Sequence, residues 1–316
     1  MNPTADLPAV IRPAASADLH TVLSIRQAQE LADSGTSSTT AERLSTEWMA
    51  LGPRLAEEVW VAVAASSSLA ACVQLARVAQ VFTPCLWVLP DHRSIALEVA
   101  LLAKAEARAC EIASEEGADS VKLFAQATST HPAAHQALSQ SGYVVSSTYE
   151  QMERVLNEPP KTPDVITDIE IRPLAAGQDT EAIYRADEEA FLDERGHTPR
   201  TFERWNQRLN LRDETSDPPV WVIAWDADEV AGAALGEVIK GTGWIHHLGV
   251  RRPWRQRGLG AALMLSALDA FYQQRVRSVR LNVDAESLTN AHQLYRRLGF
   301  RVIGAYSNYE KIVPLA

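Results

Sequence analysis

Arg255-Gln256-Arg257-Gly258-Leu259-Gly260-Ala261 is the stretch on which the reading of this chain turns. An apolar run at residues 244–250 precedes it, and apolar residues follow at Leu259, Leu263, Ala267, Ala270 and Phe271. This spacing predicts a strand, a glycine turn and the N-terminus of an amphipathic helix. Such a turn leaves backbone N–H groups pointing outward, where the helix dipole favours negative charge, and glycines let a phosphate approach without meeting a Cβ. Pyrophosphate binding is the chemistry this arrangement predicts.

The rest of the chain bounds what such a site can serve. With 316 residues, 46% hydrophobic and 22% charged, it has the size and composition of two ordinary globular domains. No apolar run reaches the length of a membrane span, and the N-terminus lacks a charged segment leading into an apolar signal core, so a cytoplasmic protein with no membrane partner is expected. A net charge of -10 opposes general affinity for nucleic acid. Positive charge is instead local, at Arg251, Arg252, Arg255 and Arg257, where it can funnel a polyanion toward the turn. Cys72, Cys85 and Cys110 are odd in number without C-x-x-C spacing, which predicts reduced thiols. His197, His246 and His247 have no Cys or carboxylate at ligand spacing, so no metal is expected.

The two halves repeat one plan. Ile11-Arg12-Pro13-Ala14 recurs as Ile171-Arg172-Pro173-Leu174. Val88, Arg93, Ala96 and Glu98 carry the spacing of Val250, Arg255, Gly258 and Gly260, and Ala134-His135-Gln136 echoes Ala291-His292-Gln293. A tandem duplication of one α/β unit follows, with a first domain at 8–157, a proline-bearing linker at 158–167 and a second domain at 168–316. In the first copy the two glycines become Ala96 and Glu98, Asn290 becomes Ala133 and Tyr295 becomes Leu138. A methyl group obstructs close approach and a carboxylate repels a pyrophosphate, so the first copy is expected to have lost the site and to serve as structural support.

Beyond the glycine turn, an apolar run at residues 279–283 leads to Asn290-Ala291-His292-Gln293-Leu294-Tyr295-Arg296-Arg297-Leu298-Gly299-Phe300. Strand, R-x-x-G-x-G helix, strand and N-A-x-x-L-Y-x-x-L-G-F together resemble the GNAT superfamily of acyl-CoA-dependent N-acyltransferases, specifically over residues 244–300. The layout as a whole is similar to the two-domain GNAT proteins related to mycothiol synthase. The resemblance implies an α/β (α+β) fold of two GNAT-like domains, each a mixed, mostly antiparallel sheet flanked by helices. It implies acetyl-CoA as cosubstrate and a small-molecule primary amine as acceptor, with the active site in the second domain of a monomer or homodimer.

By the same resemblance, Leu248, Gly249 and Val250 contact the pantetheine and acyl carbonyl. Arg255, Gln256, Arg257, Gly258, Leu259, Gly260 and Ala261 hold the pyrophosphate, and Asn290 caps its helix or bonds the pantetheine. Tyr295 falls where many GNAT enzymes keep the acid that protonates the leaving thiolate. The base is His246 or Glu237, the latter directly or through water. Strict alternation puts His246 on one strand face with Trp244, Leu248 and Val250, and turns His247 the other way. The acid-rich stretch that begins Asp187-Glu188-Glu189 flanks the acceptor region in the GNAT plan and would suit a cationic amine. The competing reading is a protein that senses acyl-CoA without turnover; Tyr295 favours the enzyme.

Overall fold

The computed structural model describes residues 10–35, 37–65, 67–164, 166–174, 180–192, 199–209, 220–286 and 291–315. In the first half these form β1 (Val10–Pro13), α1 (Leu19–Ser34), α2 (Ala41–Leu51), α3 (Leu55–Glu58), β2 (Val59–Val63), β3 (Leu69–Val78), β4 (Val81–Val88), α4 (Ile95–Glu115), β5 (Ser120–Thr128), α5 (Pro132–Gln140) and β6 (Val144–Val155). The second half gives β7 (Glu170–Pro173), α6 (Thr180–Phe191), α7 (Phe202–Leu209), β8 (Val220–Asp226), β9 (Glu229–Ile239), β10 (Thr242–Val250), α8 (Leu259–Gln273), β11 (Ser278–Asp284), α9 (Ala291–Arg297) and β12 (Arg301–Pro314).

Two compact units result, Met1–Thr148 with Gly304–Ala316, and Tyr149–Ile303. The first carries a sheet in the order β1-β2-β3-β4-β5-β12, antiparallel except between β4 and β5. The second carries β7-β8-β9-β10-β11-β6, antiparallel except between β10 and β11. Each sheet therefore takes its last strand from the other half of the sequence: β12 pairs with β5, and residues 149–155 of β6 pair with β11.

The parallel pair in each unit is short. β10 meets β11 only from Gly243↔Val279 to Ile245↔Leu281, and β4 meets β5 only at Val81↔Lys122 and Phe82↔Leu123. Past these points the strands diverge, and among the described residues one backbone edge of residues 246–250 has no strand partner in the second unit. Both units also share a bulge at equivalent places, between Ala62 and Val63 and between Ala224 and Trp225.

Helix α8 shows why the second unit closes. Its sequence, LGAALMLSALDAFYQ, is built of strong helix formers, and Leu263, Met264, Ala267, Leu268 and Phe271 on one face are fully buried. Burying each of the larger side chains contributes about 1.5–3 kcal/mol. The helix ends where Arg275 takes a positive φ of 62 and Val276 N–H bonds back to the Phe271 carbonyl at 3.0 Å. On the opposite sheet face, Ile183 and Ala186 of α6 pack with Trp205, Ala233 and Leu235.

Candidate active site

The glycine turn has the predicted form. Gly258 is the N-cap of α8 in the left-handed region at φ 82, a conformation a side chain resists, and Gln256 ahead of it also has a positive φ of 61. Ala261 and Ala262 both direct their N–H groups to the Gly258 carbonyl, at 3.0 and 3.1 Å. The amides before them begin the helix and have no intrahelical carbonyl to bond. At Gly260 a Cβ would meet only Leu294 Cδ2 at 3.5 Å and Val250 Cγ2 at 3.8 Å, so packing within the protein does not demand glycine there. The residues Asp164, Ile166, Thr167, Gly258, Ala261 and Leu265 line an open cavity beside this turn.

In β10 the expected alternation fails at one residue. Ile245 pairs with Gly236 and His247 with Leu235, so His246 is an extra residue, a β-bulge. Before the bulge, Gly243 and Ile245 face α8: a Cβ on Gly243 would lie 2.8 Å from the Phe271 ring, and Ile245 belongs to the α8 core. After it the faces exchange. His247 reaches Asp187 on α6, and a Cβ on Gly249 would stand 2.9 Å from Ala190 Cβ on the same helix. Leu248 and Val250 pack with the α8 core instead. The expectation that His246 shares a face with Leu248 and Val250, opposite His247, is thus corrected: the inserted residue turns both imidazoles to the α6 side.

Two imidazole–carboxylate pairs lie on that side. His246 Nε2 stands 2.8 Å from Glu237 Oε1, with both side chains about one-third exposed. His247 Nδ1 stands 2.6 Å from Asp187 Oδ2, which also accepts a 2.7 Å hydrogen bond from Trp205 Nε1. The Asp187 side chain is 0% exposed. Phe191 contacts the His247 ring edge-on at 5.3 Å.

The described acids of this stretch, Asp187, Glu188 and Glu189, are paired within the protein. Besides Asp187, Glu188 Oε1 bonds Arg200 Nε at 2.9 Å and Glu189 Oε2 bonds Arg251 Nε at 2.7 Å. The basic cluster is engaged likewise. Arg255 donates to the carbonyls of Val250 and Ala190, both at 2.9 Å, which ties the turn to β10 and α6. Arg257 donates to the Thr167 carbonyl at 3.2 Å and remains exposed. Tyr295 on α9 is 8% exposed and meets Phe300 edge-on at 5.9 Å. Leu294 beside it lines the approach to Gly260. Asn290 and His197 lie outside the described residues. Among the described residues no group of three or more His, Cys, Asp or Glu could hold a metal, and no helix is long and apolar enough to cross a membrane.

In the first unit the equivalent places are filled. Val88 matches Val250 at the strand end, and its N–H is bonded by Gln29 Oε1 at 2.6 Å. Glu98, where the second copy has Gly260, is 1% exposed and faces His131 Nε2 at 2.9 Å. Arg93, the counterpart of Arg255, pairs with Asp33 at 2.7 Å. Pairing of β3 with β4 runs from Ala71↔Val88 to Val78↔Val81 without a shift, so the His246 bulge has no equivalent here.

Comparison with known proteins agrees with this architecture. The acetyltransferase (GNAT) family model matches residues 180–300. A mycothiol acetyltransferase of Kineococcus radiotolerans is 31% identical over 223 residues, covering 68% of this chain and 67% of that protein. One from Thermobifida fusca is 31% identical over 161 residues, 46% of this chain, and the chain spans about half of its length, 48%. Among solved structures, a GCN5-related N-acetyltransferase from Sphaerobacter thermophilus is 31% identical with a TM-score of 0.78, covering 98% of this chain and 97% of its own. A tandem GNAT protein from the clavulanic acid biosynthesis pathway, 16% identical with a TM-score of 0.64 over 96% and 98% of the two chains, shares the fold. The chain is a tandem-domain member of the GNAT N-acetyltransferase family.

Proposed function

We propose that this protein transfers the acetyl group of acetyl-CoA to the primary amine of a small molecule, by direct attack, at a site in the second half of the chain. The observation that carries this reading is the divergence of β10 from β11 past Ile245, ending at the left-handed Gly258 and the N-terminus of α8. An open strand edge accepts an extended chain as an added strand, and a helix N-terminus behind a glycine turn accepts a pyrophosphate. The residues present therefore fit acetyl-CoA: Leu248, Gly249 and Val250 would hold the pantetheine, and the backbone of residues 256–261 the pyrophosphate. Arg255 holds that turn against the Val250 and Ala190 carbonyls, and its role is positional.

Acetyl-CoA supplies an activated acyl carbon and a thiolate leaving group. The protein must deliver the amine uncharged, take up one proton and give one to the leaving sulfur. The Glu237–His246 pair, partly exposed on the face opposite α8, takes the proton from the attacking nitrogen. As the new C–N bond forms and the C–S bond breaks, the Tyr295 phenol donates its proton to sulfur; with a reference pKa of about 10 it is protonated at neutral pH. The first unit has no such site of its own, because Gln29 bonds the Val88 N–H and Glu98 stands where the second copy has Gly260, and its role is structural support.

The test pairs calorimetric binding of acetyl-CoA with thiol release over a panel of small amines. Binding together with amine-dependent thiol release supports the enzyme. Tight binding with no release for any amine favours the acyl-CoA sensor.

A further inference from the structure

The buried Asp187–His247 pair has no part in the chemistry above, yet it sits one residue from it. His246 is the residue inserted into β10, and the strand on either side is held by opposite layers. Ile245 is fixed in the α8 core, and His247 is fixed to α6 through Asp187. Asp187 is itself anchored, accepting from Trp205 Nε1 at 2.7 Å within the α6–α7 packing. Its Oδ1 is buried without a hydrogen-bond partner among the described residues, so the carboxylate concentrates its bonding on Oδ2.

The register explains what this tie achieves. Glu237 pairs across the ladder with Trp244, not with His246. Only the bulge lets His246 fold over the same face and reach Glu237 Oε1. If the extra residue relaxed along the strand, side chains on one side of it would exchange faces, and His246 would leave Glu237. In the first unit β4 pairs with β3 without a bulge, and Cys85 pairs with Gln74 where the second unit pairs His247 with Leu235.

We propose that Asp187 and His247 are positioning residues that lock the β10 bulge to α6 and thereby hold His246 against Glu237. The kinetic consequence rests on the function proposed above; the structural consequence does not.

The test compares His247→Leu, which has no donor, with His247→Asn, which keeps an N–H at the δ position, by crystallography and by single-turnover acetyl transfer. Asp187→Leu, which removes the acceptor at similar size, serves if His247→Leu does not fold. His247→Leu is expected to part His246 from Glu237 beyond hydrogen-bond distance. It should also lower kcat roughly a hundredfold, the scale expected of a misplacement near 1 Å, with KM for acetyl-CoA within about twofold. His247→Asn should restore both the contact and most of kcat, a rescue that a merely structural role would not give. An intact His246–Glu237 contact in folded His247→Leu or Asp187→Leu overturns the proposal. A wild-type protein that acetylates no amine overturns the proposed function instead, and the crystallographic comparison still decides this one.

Discussion

His246 Nε2 and Glu237 Oε1 are 2.8 Å apart although the two residues are not ladder partners. The relationship exists because β10 carries one residue more than β9 can pair. It joins the two base candidates into one unit, so Glu237→Gln and His246→Gln should each slow transfer, and the double variant should be far less than the product of the two. Strict additivity of the two effects would show that they act separately.

Gly260→Glu copies Glu98 of the first half into the phosphate turn. The room at this position, with Leu294 Cδ2 at 3.5 Å from an added Cβ, means the fold should persist. Like charges at contact distance where solvent is partly excluded should cost several kcal/mol of binding. Calorimetry should find no measurable acetyl-CoA affinity, and unchanged affinity in a folded variant would refute the phosphate assignment.

One acetyl-CoA should bind per chain. In the first unit the Val88 N–H is already bonded by Gln29, and Glu98 is committed to His131. A stoichiometry of two would contradict the loss of the first site.

Burial pushes the Cys72 thiol up to about 12 and the Cys85 thiol up to about 11. At neutral pH neither presents thiolate, so alkylating reagents should label both only on unfolding. The raised folded values also set a direction for stability. It is fully present below the unfolded-state value near 9.0 and is lost as the pH climbs toward 11 to 12. Cys72→Ala should make the alkaline fall in urea midpoint shallower; an identical slope would show that other groups dominate.

The turn and the duplicated layout were legible because they rest on periodicity and on glycine positions, which local physics fixes. The failure of alternation at His246 was hidden because a bulge is a mismatch between two strands, visible only once their pairing is known. The signal lay in the repeat itself: β10 is one residue longer than β4 when both are counted from their pairing partners. Arg251 and Arg255 read as open positive charge, but a sequence does not show that Glu189 and the Val250 and Ala190 carbonyls already engage them. The pairing of β12 with β5 and of residues 149–155 with β11 is likewise a matter of distant contacts, which local periodicity does not fix.

The most direct measurement of the central claim is a single-turnover rapid-quench experiment with carbon-labelled acetyl-CoA and an amine acceptor, comparing wild type with Tyr295→Phe. Direct attack predicts labelled amide appearing together with free thiol, with no label on the protein. Tyr295→Phe should slow this step by roughly ten- to ten-thousandfold, toward the lower end because an alkylthiolate leaves readily, while acetyl-CoA affinity is kept. Acetyl-CoA that binds but yields no labelled amine, or a Tyr295→Phe rate within about twofold of wild type, would contradict the account.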